Sequence, residues 1–356
     1  MLLYGWFTAA RNWLYDKDIL KSAEFEIPTI VVGNLAVGGT GKSPHIEYLI
    51  QLLKDTVQVA TLSRGYGRKT TGFILADEKS DAKKIGDEPL LYKLKHPEMP
   101  VAVAESRVMA IPKLLHDNPA TQVILLDDAF QHRSLRPGLK IILTTYQNLF
   151  TRDSLLPIGD LREDAKNYKR ADIIVVTKCP PDLSKEEKEK ITREINPFPY
   201  QHLYFSTVKY GTIYKLFAAN LEELYYPNIL TKDKAVLMVT GIANHTPFVD
   251  FVKSYSQNVF TFPYRDHHQF DEYDLEQIRE TFLHLSFDEK IILTTEKDAV
   301  RLIPHRNWFL QNKIEIFVQP IVVDFLGEDK QKFDNDILFY ISKITEENDR
   351  QFIAEN

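Results

Sequence analysis

A chain of 356 residues with 44% hydrophobic residues is long enough for two domains with buried cores and is not of disordered composition. Its net charge of −6 supplies no general attraction to nucleic acid, and no nucleic-acid partner is expected. The single cysteine, Cys179, excludes a disulfide framework and a cysteine-based zinc cluster, and suits a reducing cytoplasm.

The first stretch, MLLYGWFTAARNWLYDKDIL, has no charged side chain before Arg11, which argues against a cleaved secretory signal with a basic start. Leu3, Trp6, Phe7, Ala10, Trp13 and Leu14 recur at helical spacing, with Tyr4 and Tyr15 beside them. An amphipathic helix over 1–20 can dock on its own domain or lie in a membrane interface. From these residues alone, docking is the simpler reading. No apolar run approaches the roughly 20 residues that span a bilayer.

IPTIVV (27–32) then leads into AVGGTGKSP (36–44) and a helix carrying Ile46, Leu49, Ile50 and Leu53. Short apolar strands follow at 57–62, 101–104, 123–128, 140–145 and 172–178. Near-continuous apolar strands alternating with helices predict an α/β domain with a buried, mainly parallel sheet. Ligands of such sheets lie beyond the carboxyl ends of the strands. Arg64, Glu105, Arg107, Asp127, Asp128 and Lys178 all sit at such ends. SKEEKEKITREI (184–195) reads as an exposed helix with a serine cap, and 201–217 as strands of a ribbon turning near Gly211. The alternation restarts with strands at 235–242, 258–262, 290–295 and 314–323 and helices near 246–255 and 274–285. The expected organisation is a membrane-contact helix (1–20), a P-loop core (21–205), a ribbon or linker (206–230) and a second, smaller α/β lobe (231–340). The tail after about 340 is expected to fray.

The AVGGTGKSP stretch carries the first chemical signal. In a P-loop, consecutive backbone N–H groups surround phosphate oxygens, a lysine adds charge and a hydroxyl binds Mg²⁺. Gly38, Gly39, Thr40 and Gly41 supply the amides, Lys42 the charge and Ser43 the hydroxyl. Ala36 stands where the general pattern has its first glycine, and Pro44 is compatible with a helical first turn. A carboxylate at a neighbouring strand end completes such a site, and Asp127 or Asp128 supplies it.

Taken together, GNLAVGGTGKSP (33–44), SRGYGR (63–68), GDEP (86–89), DDAFQHR (127–133), VVTK (175–178), RDHHQF (265–270) and TTEKDAVRL (294–302) form an ordered set. That set resembles the tetraacyldisaccharide 4′-kinase family over about residues 1–325. The resemblance implies a P-loop NTPase-like core with a second lobe, and ATP and Mg²⁺ as cofactors. It implies transfer of the γ-phosphoryl group to the 4′-hydroxyl of a lipid disaccharide 1-phosphate in lipid A biosynthesis. It also implies a peripheral enzyme at the cytoplasmic face of the inner membrane, which raises the weight of membrane contact by residues 1–20. Ser43 stands for the family's usual threonine, and Ala129 for its usual glycine.

On residues alone Asp87 reads as a helix N-cap. The resemblance implies instead that Asp87 is the general base, paired with His267 from the second lobe; His268 is adjacent, and the sequence leaves the choice between them open. Arg64, Arg68 and Arg107 are candidates for phosphate contact or for solvent-facing charge in equal measure. Glu88, Gln131 and His132 are further candidates. Lys178 is placed beside the nucleotide base by fold analogy alone. Glu296, Lys297 and Asp298 either cap a helix or join the site. The competing readings are a P-loop kinase of a soluble small molecule and a regulatory NTPase; the N-K-x-D motif of GTP-binding switches does not occur.

Overall fold

The computed structural model describes residues 2–218 and 224–355. In chain order, α1 (Leu2–Asp16) precedes β1 (Thr29–Asn34), α2 (Lys42–Leu53), β2 (Val59–Ser63) and β3 (Ile74–Leu75). Next come α3 (Ala82–Ile85), α4 (Asp87–Lys95), β4 (Val101–Val103), α5 (Arg107–Asp117), β5 (Val123–Asp127), β6 (Leu139–Thr145), β7 (Ile173–Thr177), α6 (Lys185–Ile195) and β8 (His202–Tyr210). The remainder comprises β9 (Tyr214–Lys215), β10 (Ala235–Thr240), α7 (Thr246–Lys253), β11 (Asn258–Pro263), α8 (Glu272–His284), β12 (Lys290–Thr295), α9 (Glu296–Leu302), α10 (Arg306–Gln311), β13 (Ile316–Gln319), β14 (Ile321–Phe325) and α11 (Asp329–Glu355).

The chain forms two compact units, one of Met1–Lys79, Tyr92–Lys209 and Val323–Asn356, the other of Ser80–Leu91 and Tyr210–Val322. The first holds a nine-stranded sheet in the order β14-β8-β7-β6-β1-β5-β2-β4-β3. From β8 through β4 the pairings are parallel, as the apolar strands predict, and β3 closes the edge antiparallel to β4. Because β1 lies between β5 and β6, the chain crosses to opposite sides around it. The loop after β1 therefore stands at a topological switch point, where open α/β sheets bind ligands. Ile46, Leu49, Ile50 and Leu53 of α2 are buried, at the 3–4 spacing that turns one helix face to a sheet.

The second unit holds a five-stranded sheet, β11-β10-β12-β13-β9, parallel except for β9 against β13. Its core shows strand alternation directly. Leu237 and Val239 join a cluster with Leu275, Ile278 and Phe309, while Val236 and Met238 join one with Phe248, Val249 and Val252. Successive residues of β10 thus serve opposite faces, each covered by its own helices.

Four expectations differ from the structure. The 201–217 ribbon does not form: β8 extends the first sheet beside β7, and β9 pairs with β13 in the second. The apolar stretch 314–323 likewise divides, β13 going to the second sheet and β14 to the first. The division between units also falls elsewhere, since 80–91 clusters with the second unit and 323–340 with the first. The tail expected to fray is helical to Glu355, and the part of α11 up to Ile341 docks on the first unit. Phe333, Ile337 and Ile341 are buried at four-residue spacing, Tyr48 donates to Asp334 at 2.6 Å, and Tyr340 Oη accepts from the Thr29 amide at 3.1 Å.

Candidate functional site

The loop after β1 is held by bonds the local sequence creates. Gly38 and Gly41 take φ of 99° and 92°, the left-handed region where a β-carbon is strained. Gly41 is the N-cap of α2, so Lys42, Ser43 and Pro44 form its first turn, where amide hydrogens have no intrahelical acceptor. Asn34, the last residue of β1, donates to Thr40 Oγ1 at 3.0 Å and accepts from Lys42 Nζ at 3.4 Å. Thr177 at the end of β7 donates to Thr40 O at 2.8 Å. Behind the loop, the buried His45 ring contacts Gly41 O at 2.7 Å and Ser206 Oγ at 3.1 Å. Burial lowers His45 to about 4, with the Gly41 bond opposing.

Ala36 acquires a role the general pattern does not provide. It forms an antiparallel bridge with Leu161, flanked by Val37 N–H to Asp160 O at 2.7 Å and Arg162 N–H to Leu35 O at 2.7 Å. The start of the loop is pinned in extended form by 160–162, so a glycine turn is not required there.

The paired aspartates lie beside this loop. Asp127 is buried and accepts from Tyr92 Oη at 3.0 Å. Asp128 takes φ of 49° and is half-exposed, with Arg162 Nη1 at 3.1 and 3.0 Å from its two oxygens and Lys42 Nζ at 3.7 Å. Their position depends on Gly33, where an added β-carbon would stand 2.5 Å from Phe130 Cβ. Gln131 donates to Asn34 O at 2.6 Å and to Glu163 at 3.1 Å. The buried Glu163 also receives Asn12 from α1 at 3.1 Å and pairs with Arg170. The α1 helix is therefore tied into the first unit at Asn12, while Trp13 is 54% exposed. The side chains of Leu3, Tyr4, Trp6 and Phe7, expected on its apolar face, lie outside the described residues.

This donor set fits a nucleotide triphosphate with Mg²⁺. It combines turned amides, a lysine, a first-turn hydroxyl and a carboxylate pair at a strand end. Among the described residues no group of three or more His, Cys, Asp or Glu side chains could hold a metal. Mg²⁺ takes one or two protein ligands and completes its shell with phosphates and water, so Ser43 with one aspartate of the pair suffices.

A second constellation lies within the other unit. Asp87 opens α4, and its side chain does not cap the helix. Its Oδ2 accepts from Arg301 Nε at 2.9 Å and Nη2 at 2.7 Å and faces His267 Nδ1 at 3.4 Å. Lys297 Nζ is 3.0 Å from the other ring nitrogen of His267 and 3.2 Å from Asp266. His268 points elsewhere: its Nε2 meets Asp274 at 2.7 Å, and its ring stacks on Tyr264 at 4.4 Å. Asp87 and His267, expected from different lobes, belong to one unit, because 80–91 clusters with it.

These two constellations invite comparison with known proteins. The sequence model of the family described as tetraacyldisaccharide-1-P 4′-kinase matches residues 1–341. The chain belongs to that kinase family. Its relatives include the tetraacyldisaccharide 4′-kinases of Bacteroides fragilis, 45% identical over 96% of this chain and 92% of that one, and of Flavobacterium johnsoniae, 42% identical over 96% and 95%. Among solved structures, LpxK from Aquifex aeolicus, described as an "apo" form in complex with ATP, matches with a TM-score of 0.72. It is 28% identical and covers 96% of each chain.

Arg68 binds Glu105 and the Gly72 carbonyl, bracing its own loop. Arg107 is buried and donates to the Ala104 and Glu105 carbonyls; burial lowers it to about 10, against the pull of Asp127 and Asp128. Arg64 is exposed. Burial, with Arg107 nearby, lowers His132 to about 4. Lys178, at φ 56°, brings Nζ to 3.9 Å from where a Gly39 β-carbon would lie. Asn34, Glu163, Arg162 and Arg301 join these sites without being among the candidates the sequence offers. Arg301 alone left a trace, falling three residues after Asp298 and so on the same helical face.

Proposed function

We propose that this kinase transfers the γ-phosphoryl group of ATP to the 4′-hydroxyl of a tetraacyldisaccharide 1-phosphate, with Asp87 as proton acceptor and His267 as its partner. The observation that carries the reading is the family match across residues 1–341, in a chain that keeps the loop lysine, its hydroxyl and the paired carboxylates. ATP supplies the phosphoryl group, and Mg²⁺ neutralises the charge that develops on its oxygens.

The chain's own residues do the rest. The amides of Gly38 to Gly41, with Lys42, hold the β- and γ-phosphates. Ser43 and an aspartate of the 127–128 pair would hold the metal. Asp87 takes the proton of the 4′-hydroxyl as the oxygen–phosphorus bond forms and the bond to the β-phosphate breaks. Every described bond to this carboxylate falls on Oδ2, which leaves Oδ1 for the proton. His267, beside it, orients the carboxylate and shares the charge.

A lipid acceptor places the enzyme at a membrane surface. No helix among the described residues is long and apolar enough to cross a membrane. The reading is therefore peripheral association with the cytoplasmic face of the inner membrane through α1 and its exposed Trp13. The deciding assay follows labelled γ-phosphate from ATP in mixed micelles. Label should appear in the tetraacyldisaccharide and depend on Mg²⁺. Release of free phosphate with unlabelled lipid would favour an NTPase and sink the kinase reading.

A further inference from the structure

Arg301 is the most deeply buried charge beside Asp87, and nothing so far gives it a task. Its side chain is fully buried, as is that of Asp298, whereas the Asp87 side chain is 14% exposed. Burying a guanidinium is costly unless its donors are satisfied by well-placed acceptors. Here two sides of the fork are used: Nη1 bonds Asp298 Oδ1 at 3.2 Å, and Nε with Nη2 bond Asp87 Oδ2 at 2.9 and 2.7 Å.

Asp298 is itself anchored to the carboxyl ends of two central strands. Its Oδ2 accepts from the Gly241 amide, just beyond β10, at 3.0 Å, and from the Thr295 hydroxyl, at the end of β12, at 2.7 Å. Burial pushes the Asp298 carboxyl up, and those two donors with Arg301 pull it back. The result is a continuous chain of bonds from the rigid sheet, through Asp298 and Arg301, to one oxygen of Asp87.

We propose that Arg301 is a positioning residue for phosphoryl transfer: braced by Asp298, it pins Oδ2 of Asp87 so that Oδ1 is presented to the acceptor hydroxyl. The same guanidinium also reaches the histidine: Nη2 lies 3.1 Å from His267 Nδ1, and Lys297 Nζ stands 3.0 Å from Nε2. A carboxylate with one oxygen tied by two donors loses rotational freedom before substrate arrives, which is the pre-organisation a proton acceptor needs. Lysine at this position would present one point charge where arginine presents a planar fork able to meet two carboxylates at once.

The inference rests on the reading of Asp87 as proton acceptor, and the experiment separates the two. Turnover of ATP and lipid substrate is measured for Asp87→Ala, Arg301→Ala and the double variant, with folding checked by thermal denaturation. Arg301→Ala should lower kcat about 100-fold, the scale of a misplaced general base, with KM for both substrates within about threefold. Guanidinium added to the medium should restore part of the loss. On the Asp87→Ala background the Arg301 substitution should cost almost nothing more, because it acts through that carboxylate. If Arg301→Ala does not fold, Arg301→Lys carries the test, with an expected loss of about tenfold in kcat and a near-parental melting temperature. Parental kcat in the folded Arg301 variant, or a penalty of equal size with and without Asp87, overturns the positioning role. A normal Asp87→Ala enzyme removes the base instead.

Discussion

The phosphate loop and the Asp87 constellation are built in opposite ways. The loop draws most of its geometry from one stretch of chain: Asn34, Thr40 and Lys42 bond one another, and the left-handed glycines fall within it. The Asp87 constellation has no local plan. Arg301 reaches Asp87 across 214 positions and His267 across 34. A cradle for phosphate needs backbone amides in a tight turn, which neighbouring residues can make. A positioned carboxylate needs side-chain donors from several directions, which only tertiary folding brings together.

The comparison is broken most directly by crossing the two regions. Lys42→Ala should weaken binding of a nucleotide analogue about tenfold or more, the worth of a charge-assisted bond to phosphate. Asp87→Ala should leave that binding unchanged and lower kcat by about 10² to 10⁴. Calorimetry of analogue binding beside steady-state kinetics reads both. Equal loss of nucleotide affinity in Asp87→Ala would show that the carboxylate supports the loop and does not serve transfer alone. His268→Ala is the internal control: its ring is committed to Asp274 and Tyr264, so stability should fall while kcat stays within about twofold.

The same contrast explains what was legible beforehand. Strands β1, β5, β6 and β7 are buried along nearly their whole length, so they read as continuous apolar runs and reveal a parallel sheet. The loop was legible because its chemistry is contiguous. Strands β8 and β9 misled because a strand's own residues do not name its partner; seen alone, 201–217 looks like a hairpin, yet its halves serve different sheets. Ala36 departs from the general loop pattern with no local reason because Leu161, its partner, is remote in sequence. Asp87 read as a cap for the same reason, since its partners Arg301 and His267 lie far along the chain. The choice between His267 and His268 needed side-chain directions, which adjacent positions in one motif do not carry.

If the loop is stiff because its surroundings are close-packed, a single methyl group behind it should be felt. Gly33→Ala places a β-carbon 2.5 Å from Phe130 Cβ, closer than any real contact allows. The strand or the 127–130 segment must move, at a cost of about 1 to 3 kcal/mol in stability. Because Asp127 and Asp128 ride on that segment, the Mg²⁺ concentration for half-maximal activity should rise in the same variant. Unchanged stability and unchanged Mg²⁺ dependence would mean that the loop's surroundings yield easily, and the contrast with the Asp87 constellation would lose its basis.

The smallest effect concerns the histidine that closes the loop from behind. His45 Nδ1 lies against the Gly41 carbonyl, an acceptor, so Nδ1 carries the hydrogen and Nε2 accepts from the Ser206 hydroxyl. Protonation would turn Nε2 into a donor inside a buried site, and burial accordingly holds the ring neutral in the folded state, down to about 4 from an ordinary 6.5. The unfolded chain takes up this proton at about 6.5. Between the two values the unfolded state therefore binds more protons, and stability falls as pH is lowered through that window. At pH 5 the loss amounts to about 2 kcal/mol relative to neutral pH, at about 1.4 kcal/mol per pH unit. Denaturant unfolding of the parent and of His45→Gln at pH 7 and pH 5 isolates it, because His132 and the carboxylates titrate in both proteins. The parent should lose about 2 kcal/mol more than the variant over this interval. Equal losses would mean that His45 accepts a proton in place, and that the loop tolerates a charge where its packing forbids one.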